Sequence, residues 1–232
     1  MVLDPQVISF FAGLKSTIRI FRSTKRDMDL HLATDFNVFD YISPSENRMS
    51  DVIRDLLDPK SGHGQGAVFL DALLEIVGQI GTATWDSVDT KPLGIEREAM
   101  TTHIERARRM DIRLDFGTAG ITIENKPWAS ELPSQSKDYI RELKGRFGER
   151  FHFVYLSRSG ERPPSVIPEE WRSLLAKHQA SAWSYSRELK KWLATCQGEC
   201  RSEKVRWFLT DFCAHIDGNL FATPLDLEED VT

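Results

Sequence analysis

The stretch Met110-Asp111-Ile112-Arg113-Leu114-Asp115-Phe116-Gly117-Thr118-Ala119-Gly120-Ile121-Thr122-Ile123-Glu124-Asn125-Lys126 decides the fold. Apolar and polar residues alternate on both sides of the turn Gly117-Thr118-Ala119-Gly120, which is the period of a strand. A hairpin closed by those four residues sets Phe116 opposite Ile121, Leu114 opposite Ile123, Arg113 opposite Glu124 and Asp111 opposite Lys126. Ile112, Leu114, Phe116, Ile121 and Ile123 then share one face. Asp111, Arg113, Asp115, Thr122, Glu124 and Lys126 share the other. A slip of one residue mixes the two sets, so the pattern itself specifies which side chains lie together.

The apolar face explains folding, and the polar face gathers two carboxylates and an ammonium near one strand end. Metal-assisted phosphodiester hydrolysis needs such a trio. Two carboxylates hold a hard divalent cation such as Mg2+, which keeps several waters of its own. The cation neutralises the phosphate and activates a water, and a lysine beside it orients that water or stabilises the developing charge. An exposed sheet face with paired surface charges carries the same alternation, so the trio alone leaves both readings open.

Working outward, residues 92–99 read as a strand before the hairpin, 134–147 as a helix after it, and Phe151 to Leu156 as a fourth strand. Upstream, Val7, Ile8, Phe11, Leu14, Ile18 and Phe21 recur at helical spacing and predict a helix over 5–22. Ser43-Pro44-Ser45-Glu46 predicts a helix start with Ser43 as N-cap, Pro44 at the first position and Glu46 at N3. That helix runs to about Leu57, where Asp58-Pro59-Lys60-Ser61-Gly62-His63-Gly64 breaks it. A third helix is expected over about 65–78. From Pro168 onward the chain reads as mostly helical, with Trp171, Trp183, Trp192 and Trp207 marking a core, and an acidic tail ends it. Helices, then a hairpin, then helix and strand describe an α/β sandwich around a small mixed sheet.

Composition bounds the function. The 232 residues carry a net charge of −5, with 41% hydrophobic and 28% charged residues, as in an ordinary globular protein. Nucleic-acid affinity is not advertised globally, although Arg97, Arg106, Arg108, Arg109 and Arg113 form a local basic stretch. No apolar run approaches the length of a bilayer span. The first residues lack a basic region and a small-residue cleavage site, so they read as a helix and not as a signal peptide. Three cysteines, Cys196, Cys200 and Cys213, do not make a disulfide framework, and a reducing cytoplasm is the simplest compartment.

Asp111, twelve residues, then Glu124-Asn125-Lys126 resembles the signature of the PD-(D/E)XK nuclease superfamily. The resemblance extends upstream to Glu46-Asn47-Arg48-Met49-Ser50, Leu56-Leu57-Asp58-Pro59, His63-Gly64-Gln65-Gly66 and Phe69-Leu70. Downstream, Gln135-Ser136-Lys137-Asp138-Tyr139 is similar to the QxxxY helix of its exonuclease-like branch. It covers about residues 43–157, in the right order. Met110 departs from the pattern, since many members have Pro or a small residue there.

The resemblance implies a restriction-endonuclease-like α/β core: a mixed four-stranded sheet flanked by helices, in α-β-β-β-α-β order. With helical N- and C-terminal additions, it predicts a single domain over 1–232, the core at about 43–157 and the helical C-terminal portion at about 165–220. It makes Asp111 and Glu124 metal ligands, Lys126 the catalytic lysine, the Asn125 carbonyl a third ligand, and Glu46 a group approaching the metal from its helix. Gln135 and Tyr139, four residues apart, would lie beside the site near substrate phosphate. The activity implied is a Mg2+-dependent nuclease, with Mn2+ as substitute and DNA as the expected nucleic-acid partner. The alternative is a nuclease-fold module without turnover that binds nucleic acid or protein.

Several residues keep two readings. Glu46 serves as a ligand or as the N3 carboxylate of a capping box, worth about 1 kcal/mol. Arg109 and Arg113 contact phosphate or pair with Glu124 and its neighbours. His63 favours a structural role in its glycine-flanked loop. Glu96 and Glu98 flank the site strand and are not assigned as ligands. Cys196, Cys200, Cys213 and His215 do not have standard zinc spacing, and buried thiols are the default.

Overall fold

The computed structural model describes residues 5–80, 83–84 and 88–221 of the 232, so the acidic tail lies outside the described residues. The chain divides into two compact units, Met1–Val38 and Phe39–Thr232. The first contains helix α1 (Pro5–Leu32), longer than the predicted 5–22 because neither Pro nor a second Gly interrupts the helix after Gly13.

The second unit is built on five strands: β3 (Gly94–Met100), β4 (Arg109–Asp115), β5 (Gly120–Lys126), β6 (Phe151–Ser157) and β7 (Ala180–Ser184), in that spatial order. The pairs β3–β4 and β4–β5 are antiparallel, whereas β5–β6 and β6–β7 are parallel. Helix α5 (Gln135–Phe147) connects β5 to β6, and α6 (Pro168–Ala176) connects β6 to β7, the crossover that parallel neighbours require. A separate two-stranded ribbon pairs β1 (Gln79–Ile80) with β2 (Ala83–Thr84). The fold is thus the expected α/β core with helical additions, but its mixed sheet has five strands rather than four. The missed strand, Ala-Ser-Ala-Trp-Ser, is short and mostly small. Its extended state comes from pairing with β6, not from local preference.

Two apolar layers sandwich this sheet. One joins Ile112, Leu114, Ile121 and Ile123 to α3 (Glu46–Leu57), α4 (Val68–Val77), α7 (Lys190–Glu199) and α8 (Glu203–Phe221). The other joins Met110, Phe151 and Phe153 to α5 and α6. Each fully buried Leu or Ile here contributes about 1.5–3 kcal/mol. The C-terminal helices therefore complete the first layer. Trp192 is buried and donates from Nε1 to the Phe69 carbonyl at 2.9 Å, while Trp207 remains half exposed. Strand β5 is buried along its whole length. Gly120 permits this at its start, because a Cβ there would lie 2.1 Å from the Phe147 ring. Among the described residues no helix is long and apolar enough to cross a membrane.

Three local expectations are corrected. The hairpin turns through two residues, not four: Phe116 N–H donates to the Ala119 carbonyl at 2.9 Å, and Gly117 takes a positive φ of 79°, which glycine adopts without strain. The register accordingly pairs Leu114 with Ile121, Ile112 with Ile123 and Arg113 with Thr122. A shift of two preserves the faces but moves Asp111 from opposite Lys126 to the level of Glu124. Secondly, Ser43 ends α2 (Val38–Ile42) by donating to the Phe39 carbonyl, so Ser45 becomes the N-cap of α3, accepting from Arg48 N–H at 3.4 Å. Glu46 is then the first helical residue and not N3, which dissolves the capping box and leaves its carboxylate free of that duty. The third helix starts at Val68 rather than 65, because Gly64 and Gly66 hold positive φ in the loop before it.

Candidate active site

The site forms where β4 and β5 part. Their ladder runs to Ile112–Ile123 and then stops. One residue further, Asn125 N–H donates to Asp111 Oδ2 at 2.8 Å, so a carboxylate takes the place of a ladder carbonyl. The Asp111 carbonyl in turn accepts from the Arg97 guanidinium, which also binds Asp51 at 2.9 Å and the Asn47 carbonyl at 3.1 Å. Alternation breaks at the same point: Ile112 packs in one layer and Met110 in the other. Asp111 thus stands at the split, tied on either side by its own backbone and carboxylate.

Lys126 Nζ lies 2.8 Å from Glu124 Oε1, 2.9 Å from Glu46 Oε1 and 3.8 Å from Asp111 Oδ2, and 3.3 Å from the Asn125 carbonyl. Asp111, Glu124, Lys126, Asn125 and Glu46 are therefore brought together. Glu124 is fully buried; Glu46 retains 24% of its side-chain exposure and forms the solvent side of the cluster. Asn125 locks the arrangement. Its Nδ2 donates to Ser50 Oγ at 2.9 Å and to the Glu46 carbonyl at 3.3 Å, and its Oδ1 accepts from the Tyr185 hydroxyl. One amide so fastens β5 to α3 and to the π-helical turn Tyr185–Leu189.

Gln135 and Tyr139 reach the site from α5, but as supports. Gln135 Nε2 donates to Glu124 Oε1 at 2.7 Å and to the Tyr139 hydroxyl at 3.0 Å, and that hydroxyl donates to the Arg109 carbonyl. Both side chains are buried. Arg109 itself points outward, 67% exposed, with Glu98 at 3.3 Å. Arg113 does not join the cluster: it is buried against Glu96 at 2.7 Å, which also accounts for that carboxylate. Arg108 is likewise internal, bound to Asp138 at 2.6 Å, so the basic stretch does not form one phosphate-facing surface. His63 closes its own loop through the Asp58 carbonyl and Gln65 N–H, each at 3.0 Å. Cys196 and Cys200 are buried in the first apolar layer.

Arg97, Ser50 and Tyr185 were missed as site supports. Ser50 had a signal, standing four residues after Glu46 on one helix face. Tyr185 had none, being 60 residues from the Asn125 it holds.

The electrostatics follow from burial. Burial, then the Asp111 charge, pushes the Glu124 carboxyl up to about 8 despite Lys126. Burial likewise raises Asp111, opposed chiefly by Lys126. Burial works against the Lys126 ammonium, but the Glu124 and Asp111 carboxylates outweigh it and hold Lys126 above its ordinary value. Lys126 is therefore charged at neutral pH. Three carboxylates against one ammonium leave an excess of two negative charges when all are ionised, the charge of one divalent cation. Glu124 Oε2 is buried with no hydrogen-bond partner. Among the described residues no three acidic, imidazole or thiol groups are gathered tightly enough to grip an ion as they stand, since the ammonium sits between the carboxylates. In donor chemistry, however, the set fits a hard cation: all carboxylate and carbonyl oxygen, with one oxygen uncommitted.

A family model described as the PD-(D/E)XK nuclease superfamily matches residues 36–214. No match was found among the curated proteins or among the solved structures. The matched span takes in the whole mixed sheet, the helix that delivers Glu46 and the helix that delivers Gln135, and it is well over half of the 232 residues; the chain belongs to the PD-(D/E)XK nuclease superfamily.

Proposed function

We propose that the protein is a Mg2+-dependent nuclease that hydrolyses phosphodiester bonds of DNA through a metal-activated water, with Mn2+ able to substitute. The observation that carries this reading is Glu124 Oε2, a buried carboxylate oxygen without a partner beside two more carboxylates and a charged lysine. A buried polar atom left without a partner is costly, and a divalent cation is a partner that such a carboxylate oxygen takes, its charge favouring the ionised form. Asp111 and Glu124 would hold it, with the Asn125 carbonyl and Glu46 as further ligands; bound there, it supplies phosphate neutralisation and a water of lowered pKa.

The chain's own residues do the rest. Gln135 restrains Glu124 through Oε1 and leaves Oε2 uncommitted. Arg97 and Asn125 fix Asp111. Lys126 orients the water and offers its charge to the phosphoryl oxygens as negative charge develops there. Arg109 is exposed and receives a backbone phosphate. Gln135 and Tyr139 are assigned to holding the site rather than to touching substrate, and Arg113 to its pair with Glu96. A reducing cytoplasm suits the three unpaired thiols.

The test is a Mg2+ and Mn2+ cleavage assay on linear, circular and single-stranded DNA and on RNA, run beside Asp111→Ala. Metal-dependent cleavage of DNA that Asp111→Ala abolishes is the expected result. Binding without cleavage on every substrate favours a module that kept the fold and lost turnover.

A further inference from the structure

Helix α1 carries a row of cations that nothing in the catalytic reading uses. Lys15, Arg19, Arg22 and Arg26 recur at i, i+4, i+7 and i+11, so they form one stripe along the helix. All four are exposed. Among the described residues none of the four makes an ion pair; the neighbouring Lys25 does, with Asp29 and Asp35. Residues 15–26 hold five basic residues and no acidic one, in a chain of 30 basic and 35 acidic residues. The remainder therefore has 25 against 35, a net of −10, and repels a polyanion. An acidic protein that handles nucleic acid has to concentrate its cations, and this stripe concentrates four exposed ones with no acidic residue between them.

We propose that the Lys15–Arg26 stripe binds the phosphate backbone of the nucleic acid, holding substrate by charge without reading sequence. The proposal rests on the nuclease reading for the identity of the polyanion. The stripe spans about 16 Å at 1.5 Å per residue, over which a duplex presents about ten phosphates. A lipid surface is the other polyanion that a basic helix meets. Against it, the apolar sector of Phe11, Leu14, Ile18 and Phe21 is interrupted by the ion-paired Lys25 and Asp29. Cations also flank that sector on one side only, with Thr17 and Thr24 on the other.

The experiment is anisotropy of a fluorescent 30-base-pair duplex with the full chain in EDTA, titrated across NaCl concentrations. Wild type is compared with Lys15→Gln/Arg19→Gln/Arg22→Gln/Arg26→Gln and with the charge-keeping Arg19→Lys/Arg22→Lys/Arg26→Lys. Each lost phosphate contact flattens the slope of log K against log salt by about 0.9. The quadruple variant should therefore lose about 3 to 4 from the slope, and the lysine variant should keep it. All positions are exposed and Gln and Lys are good helix formers, so far-ultraviolet circular dichroism should be unchanged. An unchanged slope in the quadruple variant overturns the proposal, as does loss of the slope in the lysine variant. Wild-type binding to phosphatidylserine vesicles but not to the duplex overturns it in favour of a lipid surface. The two readings fail separately: cleavage with a slope indifferent to the stripe leaves only the active site, and a stripe-dependent slope without any cleavage leaves only the stripe.

Discussion

Glu46 shows how one residue changes meaning when its place in a helix is known. As the first residue of α3 it caps nothing, and its carboxylate meets the Lys126 ammonium at 2.9 Å. Glu46→Gln should therefore change helix stability by no more than about 0.3–1 kcal/mol, the worth of a charge at a helix start, while raising the Mg2+ concentration needed for half-maximal cleavage. Urea unfolding beside a Mg2+ titration of rate separates the two, and an unchanged Mg2+ requirement removes Glu46 from the site. Lys126 acts differently. If its charge is felt only as negative charge develops on phosphate, Lys126→Ala should depress cleavage about 10²–10³-fold, or roughly 2.7–4 kcal/mol, in a single-turnover measurement. At this scale the sequence was informative. Asp111, Glu124 and Lys126 could be placed together because alternation puts like residues on one side of a hairpin, and a register error of two leaves sides unchanged. The exact facing pairs were not legible, because they depend on whether Gly117-Thr118 alone makes the turn.

Between elements, the site is held by Asn125. Its side chain ties β5 to α3 and to the Tyr185 turn, so three pieces of chain meet at one amide behind the ligands. Tyr185→Phe leaves Asn125 Oδ1 buried without its donor. The expected cost is about 1–3 kcal/mol of stability, read as a lower urea midpoint with unchanged slope. A midpoint equal to wild type would mean the clamp contributes nothing. Helices α3, α4 and α5 and four strands were readable from periodicity because each buries one face or a whole apolar run; α2 was not read, and the C-terminal helices were read only as a helical stretch. The fifth strand and the Tyr185 turn were not, since β7 is made extended by its neighbour β6 and the turn's partner is far away in sequence. The cap of α3 was misplaced by two residues because Ser43 and Ser45 carry the same capping chemistry, and only the closing bond of α2 decides between them.

At the scale of the whole molecule, two of the buried titratable places among the described residues have different consequences. His152 is buried between the His178 carbonyl and Ser181 Oγ, at 2.8 and 2.9 Å, and burial pushes it down to about 4. Below the ordinary imidazole value of 6.5 the unfolded chain gains a proton that the folded one refuses. The His152 contribution is thus full above pH 6.5 and falls as pH drops toward 4, by about 3 kcal/mol at roughly 1.4 kcal/mol per unit, whereas the raised Glu124 carboxyl acts in the opposite sense between its ordinary value and about 8. Because the Glu124 contribution is common to both proteins, the stability of wild type relative to His152→Gln should fall with this slope as pH drops from about 6.5 to about 4.5 in urea unfolding; a difference that does not change with pH would assign the loss elsewhere. The second place is the carboxylate cluster, whose three convergent carboxyl groups and uncommitted Glu124 oxygen are the reason to expect a divalent cation. Calorimetric titration of Mg2+ and Mn2+ into wild type, Asp111→Ala and Lys126→Ala, with cleavage measured on the same samples, tests that most directly. The account predicts one cation bound by wild type, weak or no binding by Asp111→Ala, and near wild-type binding by Lys126→Ala, with cleavage lost or strongly depressed in both variants. Wild type that takes up no cation, or Lys126→Ala that cleaves at the wild-type rate, would contradict it.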